Sequence, residues 1–338
     1  MNSNDKVAVS VIIPVYNGAK RIVNCLGALC NQDFPELFEV IVVDDGSTDN
    51  VAEVVSRYPA ARFVRQANAG PGVARNHGAR IALGEVILFT DDDCVPLPDW
   101  MSRLVASLRS GERIAGVKGV YRSKQKELTA RFVQLEYEDK YDVMKRHQYI
   151  DFIDTYSAGF KRSIFMDFGG YDASFTTACA EDVDLSFRLS RAGHLMLFVP
   201  NAIVFHTHPN GVWIYLKKKY KFAYWRMLAV RKTPEKALKD SHTPQLMKLQ
   251  LLFPPAIVFL LVLLPFNLHL WPLPVSAFGV FLLTCLPFLA KATAKDFPVA
   301  AVSPFLLLLR SFSQFCGVTN ALAAFAFLPK RHATGSQV

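Results

Sequence analysis

Short apolar runs alternate with amphipathic stretches through the first part of the chain. Val7 to Ile13 is rich in Val and Ile and stops at Pro14, the pattern of a buried strand. Ala19 to Cys30 repeats apolar residues at helical spacing through Ile22, Cys25, Leu26 and Leu29. "FEVIVV", Phe38 to Val43, predicts a second strand. The polar turn "DDGSTDN" follows, with Thr48 or Asp49 expected to cap a helix through Val51, Val54 and Val55. Phe63 to Val64 predicts a short third strand, Gly72 to Leu83 a helix, and Glu85 to Thr90 a fourth strand. This alternation implies an α/β fold with a mostly parallel sheet covered on both faces. Such sheets bind ligands beyond the carboxyl ends of their strands.

From Leu251 to Leu328 the pattern changes to nearly continuous apolarity, with formal charge only at Lys291, Lys295, Asp296 and Arg310. A bilayer span needs about 20 apolar residues. Leu268 to Ala290 meets that length. Leu251 to Phe266 is short, so it either begins inside the preceding "MKLQ" or forms half of a re-entrant hairpin. Pro298 to Leu328 is too long for one untilted span. A break near Arg310, Gln314 and Gly317 is expected to separate an interfacial helix from a span. The favoured topology is a two-span hairpin followed by a third span.

Charge refines this layout. The net charge is +9, and Thr207 to Gln250 holds ten Lys/Arg against only Glu235 and Asp240. "VWIYLKKKYKFAYWRMLAV", Val212 to Val230, reads as an interface element. Trp213, Tyr215, Tyr220, Phe222, Tyr224 and Trp225 are expected at headgroup depth, with the lysines on anionic lipid rather than nucleic acid. The division is therefore 1–210 catalytic, 211–250 basic and interfacial, 251–329 membrane with two to three spans, and 330–338 a polar tail. The N-terminus lacks the pattern of a signal peptide. With the positive-inside rule, this predicts a multi-pass protein of the inner (plasma) membrane with its catalytic domain cytoplasmic. Cys25, Cys30, Cys94, Cys179, Cys285 and Cys316 form no CxxC pair and read as scattered small hydrophobes.

Acids recur where the strands end. Asp44 and Asp45 follow the second strand, Asp91, Asp92 and Asp93 the fourth, and Tyr16 and Asn17 the first. Neither GxGxxG nor a Walker A sequence is present. Carboxylates holding Mg2+ or Mn2+ suit a nucleotide's phosphates better. Asp91 and Asp93 have the D-x-D spacing. Arg75 either favours a diphosphate or pairs with a surface acid. Glu181, Asp182 and Asp184 open a helix that Gly193 ends. Asp182 and Asp184 lie roughly 200° apart around it, leaving Asp184 to cap the helix or pair with Arg188. His206 and His208 are each able to supply a nitrogen ligand.

Together, "VSVIIPVYNG", "VIVVDDGSTD", "GPGVARNHGA", "ILFTDDDCV", "GGYDASFTTACAEDVDLSFRLSRAG" and "PNAIVFHTH" resemble the family-2, GT-A-fold inverting glycosyltransferases, over roughly Val7 to His208. The resemblance implies that Pro14, Tyr16 and Asp45 line the nucleotide pocket, with Arg75 and Asp92 also on the donor side. It implies a divalent cation on Asp91 and Asp93, with His206 near it. Asp182 is implied as general base, with Glu181 beside it. No QxxRW sequence follows, so transfer of single sugars is expected rather than polymerisation. The expected donor is a nucleotide-sugar carrying uridine diphosphate. The expected acceptor is a hydroxyl of a lipid-linked glycan or glycolipid, for polysaccharide or cell-envelope synthesis. The alternative acceptor is a polyprenyl monophosphate, in an enzyme that loads a lipid carrier.

Overall fold

A computed structural model describes residues 6–175, 180–236 and 240–326. Cys179, Lys239 and the polar tail lie outside the described residues. The order is β1 (Val9–Val15), α1 (Ala19–Leu29), β2 (Phe38–Asp44), α2 (Val51–Ser56), β3 (Ala61–Arg65), α3 (Pro71–Ile81) and β4 (Val86–Thr90). Then come β5 (Cys94–Pro96), α4 (Trp100–Arg109), β6 (Ile114–Arg122), α5 (Leu128–Met144), β7 (Ser157–Lys161) and α6 (Arg162–Asp167). They are followed by α7 (Glu181–Arg191), β8 (Leu195–His206), α8 (Val212–Lys232), α9 (Gln245–Gln250), α10 (Phe253–Leu263), α11 (Pro272–Lys295) and α12 (Phe297–Ala326).

The strands form one sheet in the order β3-β2-β1-β4-β7-β6-β8-β5. β1 to β4 pair in parallel, while β7 runs antiparallel between β4 and β6. The early strands are apolar on both sides because both faces are covered. Val9, Val11 and Ile13 face one core with α1 and α4, and Ile12, Ile41 and Phe89 face the other with α3 and α7. The expected α/β fold is therefore present, in a mixed but mostly parallel sheet.

Asp49 meets the start of α2 as expected, its carboxylate accepting from the Val51 N–H at 3.3 Å. It also accepts from the Ala19 N–H of α1 at 2.9 Å, across the strand-end edge. One local expectation changes. Cys30 is exposed rather than a small core residue.

Three C-terminal helical segments are long and apolar enough to cross a membrane: Gln245–Leu263, Leu268–Lys295 and Phe297–Ala324. The first begins before Leu251, as one of the two expectations for it held. The expected break near Arg310 is not found, because α12 is continuous. Gly317 serves a different purpose there. A Cβ on it would lie 2.5 Å from the Tyr220 carbonyl oxygen, so glycine lets α12 approach α8 closely. The Arg310 guanidinium is buried and donates to Glu136 of α5 at 2.8 Å and to Gln250.

The basic segment also differs from a uniformly lipid-facing element. Tyr215 is buried, with its hydroxyl donating to Glu136 at 2.9 Å, while Trp213 is widely exposed. Lys219, Arg226, Lys232, Lys236 and Lys248 all sit within 3.0 Å of a carboxylate. Much of the local positive charge is thus neutralised within the protein. At the end of α11, Lys291 and Lys295 pair with Asp142 and Glu138 at 2.7 and 2.5 Å, which holds that end of the helix against α5.

Candidate active site

Parallel pairing sets Val15 opposite Asp44, and Ile12 opposite both Ile41 and Phe89. The turns after β1, β2 and β4 therefore open along one sheet edge. Asn17 adopts a left-handed backbone (φ 49°), and its side-chain oxygen accepts from the Thr48 N–H at 2.8 Å, tying two of these turns together. Pro14 is buried within β1, and Tyr16 is half exposed at the rim. Asp45 is buried, and its carboxylate accepts from Gln66 Nε2, Ala69 N–H and Gly70 N–H at 2.8–2.9 Å. It thereby fastens the loop that leads into α3.

The three consecutive aspartates face three different partners. Asp91 accepts from Arg75 at 2.6 Å, and Arg75 also reaches Glu181 at 3.2 Å. Arg75 thus pairs with the half-buried Asp91 and the buried Glu181 at the site, not with a surface acid. Burial opposes its charge, and the Asp91 and Glu181 carboxylates more than restore it. Asp92 turns beneath the first strand-end turn and pairs with Arg21 at 2.7 Å. A Cβ on Gly18 would lie 1.9 Å from the Asp92 carboxylate, so that close approach requires glycine. Burial pushes Asp92 up to about 7 despite Arg21.

Asp93 lies 3.3 Å from His206, whose strand pairs Cys94 directly with it. Ligand atoms of Asp93, Cys94 and His206 all lie within 4.8 Å of one another. Asp91 is not brought into that cluster. The His206 atom that faces Asp93 is the buried Nδ1, at a distance and angle short of a well-formed hydrogen bond. Burial opposes the Asp93 charge, yet His206 holds its carboxyl below the usual range. The Cys94 thiol is pushed well up by burial and then by Asp91 and Asp93. An ionised carboxylate and an imidazole fit Mn2+ or Mg2+, whereas a protonated thiol does not. Of the two histidines, His206 is the one beside Asp93. His208 is buried against Gln134, and its Nε2 lies 3.0 Å from the Gln134 side-chain oxygen.

The helix-opening acids meet a cavity of about 210 Å³ that Arg75, Asp91, Glu181 and Asp182 all line. Residues from α3, the end of β4 and α7 converge there. Ala180, just before α7, is left-handed at φ 73°, an uncommon conformation for a residue with a Cβ. Asp182 is half-buried, and burial, then Glu181 and Asp154, push its carboxyl well above the ordinary range. Asp184 turns away to Arg188 at 2.8 Å, as the helical spacing predicts.

The cavity also contains residues that the sequence reading passed over. Asp154, Lys140, Tyr137 and Tyr121 line it or its rim, and Lys118 pairs with Asp154 in the interior. Tyr121 stacks on His206 with ring centroids 4.3 Å apart. The available signal was Asp154 itself, the acid set between Phe152 and Tyr156 in "YIDFIDTYSAGF".

Comparison with known proteins gives a consistent result. Residues 10–169 match the sequence profile described as Glycosyl transferase family 2. The chain is 43% identical over 97 residues to the uncharacterized glycosyltransferase YibD of Escherichia coli (strain K12), covering 28% of this chain and 27% of that protein. It is 28% identical over 246 residues to the probable glycosyltransferase YdaM of Bacillus subtilis (strain 168), covering 68% of this chain and 58% of that one. The chain thus matches less than two thirds of either relative's length. Among solved structures, the mannosyltransferase PcManGT from Pyrobaculum calidifontis, in complex with GDP-Man and Mn2+, superposes with a TM-score of 0.60 at 20% identity. That superposition covers 94% of this chain and 88% of that one, and it establishes a shared fold.

Proposed function

We propose that the chain is a family-2 glycosyltransferase, a reading supported by the profile match over residues 10–169, and that it transfers one sugar, with inversion, from a nucleotide-sugar to a membrane-borne acceptor. The observation that carries this reading is the convergence of Asp91, Arg75, Glu181 and Asp182 on one cavity beyond the strand ends. The neighbour bound to GDP-Man and Mn2+ supports a nucleotide-sugar and a divalent ion as ligands of this fold.

Pro14, Tyr16 and Asp45 sit on the nucleotide side, with Asp45 shaping its loop. Asp93 and His206 would hold the cation, with Asp91 nearby on Arg75. When bound, that ion supplies charge neutralisation for the departing diphosphate. Asp182 takes the proton of the acceptor hydroxyl as its oxygen forms the bond to the anomeric carbon. The bond from that carbon to the phosphate oxygen breaks at the same time, and the nucleoside diphosphate departs. Arg75 positions Asp91 and Glu181. Glu181 orients the acceptor.

The three long apolar helices support membrane anchoring, and the docking of Lys291 and Lys295 on α5 keeps the α11–α12 junction on the catalytic side. In this reading the protein is multi-pass in the inner membrane, with the catalytic domain cytoplasmic. The acceptor is a hydroxyl of a lipid-linked glycan or glycolipid, and the donor a UDP-sugar. A second reading, a polyprenyl phosphate acceptor, is favoured by the half-buried Lys140 on the same cavity. Product analysis separates the two. A glycoside stable to mild acid supports the first reading, and an acid-labile sugar–phosphate supports the second. Stripping divalent cations is expected to abolish transfer, with Mn2+ restoring it. Full activity of the stripped protein would overturn the cation's part.

A further inference from the structure

A second chamber, of about 730 Å³, lies between α5, α8 and the C-terminal helices. Met247, Leu251 and Val318 give it apolar walls on the membrane-helix side. Lys140, Lys218, Lys219, Lys221, Arg226 and Lys248 give it positive charge. These cations are not equally compensated. Arg226 and Lys248 both pair with Asp240, at 2.8 and 2.9 Å, and Lys219 pairs with Glu136 at 3.0 Å. Among the described residues, no carboxylate lies at ion-pair distance from Lys140, Lys218 or Lys221.

Lys140 is the informative one. Its ammonium lies 5.4 Å from the Tyr137 ring centroid and 5.7 Å from that of Phe222. Those contacts only partly offset the burial of a charge. Burial, and then Lys219, push Lys140 down to about 7. An anion beside it would restore its charge. Lys140 lines both this chamber and the smaller cavity that holds Asp182. An anion at Lys140 therefore lies at the shared wall, with an apolar path behind it and the catalytic carboxylate ahead.

We propose that this chamber binds the phosphate or diphosphate group of an amphiphile, held by Lys140 and Lys218, with the apolar chain along Met247, Leu251 and Val318. The inference rests on the reading that the acceptor is a lipid, and it names the part of that lipid which the protein grips. The proposed donor site at Asp93 and His206 adjoins the chamber, since His206 lines its wall, while the apolar residues lie on the membrane-helix side. A neutral lipid would leave Lys140 uncompensated, and a soluble anion would leave the apolar wall unused.

The test is calorimetric binding to the full chain in neutral detergent, with farnesyl phosphate as probe. Farnesol supplies the same chain without charge, and inorganic pyrophosphate the charge without a chain. Farnesyl phosphate is expected to bind at least about tenfold more tightly than either, the scale of one charge-assisted hydrogen bond. Lys140→Gln and Lys218→Gln should each weaken it by a similar factor, while Lys217→Gln, outside the chamber, should not. Lys218 is exposed, so its variant keeps the test alive if Lys140→Gln misfolds. Equal binding of farnesol overturns the role of charge. Equal, competing binding of pyrophosphate overturns the lipid assignment. Unchanged affinity in both variants overturns the site. Tight farnesyl phosphate binding without transfer to any lipid acceptor keeps the chamber and sinks the proposed function. Transfer with unchanged variant affinities does the reverse.

Discussion

Glu136 on α5 and Asp182 on α7 are carboxylates of two different regions, the junction with the C-terminal helices and the catalytic cavity. Glu136 is saturated with donors: Arg310 at 2.8 Å, Tyr215 at 2.9 Å and Lys219 at 3.0 Å. Burial opposes its charge, but Lys219 and Arg310 hold its carboxyl down to about 2. Asp182 has a short supply of positive charge. The nearby Arg75 is engaged by Asp91 and Glu181, and burial with two neighbouring acids drives Asp182 upward. A carboxylate meant to stay ionised is surrounded by cations, whereas one meant to accept a proton is kept among acids.

The largest expected effect removes the proposed proton acceptor. Asp182→Asn should leave donor affinity nearly unchanged and lower transfer at least about 100-fold, the lower end of what a positioned base contributes. Donor binding and transfer are measured on the same purified variant. Near-normal transfer here, with a large loss in Glu181→Gln or Asp184→Asn, would move the base within the cluster.

The opposite is expected at the junction. Glu136→Gln leaves the buried Arg310 and Lys219 without their carboxylate, which costs about 3–5 kcal/mol of stability. The thermal midpoint in detergent should fall sharply, while turnover per folded molecule changes less than for Asp182→Asn. A stable variant with dead chemistry would collapse the distinction between the two regions.

Much of the catalytic cavity was legible because its residues stand next to strand and helix ends. Asp91, Arg75 and Asp182 each follow a local signal, and the parallel sheet brings those ends together. The partition of the aspartates was not legible. D-x-D spacing suggested one shared ion, but a turn after β4 and the β5–β8 pairing send Asp91 to Arg75 and Asp93 to His206. The junction was less visible still. Arg310 and Glu136 are 174 residues apart, and no periodicity links them. Read alone, Arg310 looked like an interruption in an apolar helix, when it is a buried partner.

Proton titration sharpens the same comparison with a smaller signal. Transfer should rise with pH as Asp182 deprotonates, through a range above that of an ordinary carboxylate, and Asp182→Asn should lose that limb. Stability should move in a different window. The Glu136 carboxyl is lowered from 4.5 to about 2, so its contribution is complete above about 4.5 and disappears as pH falls toward about 2. That shift corresponds to roughly 3 kcal/mol. The readout is the difference between wild type and Glu136→Gln across that acid range. Parallel curves would show that the carboxylate is not held by its cations.

The smallest expected effect comes from a pair that the sequence displays most openly. Glu53 and Arg57 stand four residues apart on α2 and meet at 2.6 Å, with both side chains well exposed. Water already solvates each charge, salt screens their attraction, and ordering two flexible side chains opposes the contact. Glu53→Gln should therefore leave the thermal midpoint unchanged within measurement, at low and high salt alike. The contrast with Glu136→Gln is the useful quantity, since both changes remove one carboxylate from a short ion pair. If the two midpoints fell equally, ion-pair distance rather than burial would govern the cost. The account of Glu136 as the fastening between α5 and the C-terminal helices would then fail. If only Glu136→Gln falls, the energy lies in the pair whose partners are furthest apart in the chain.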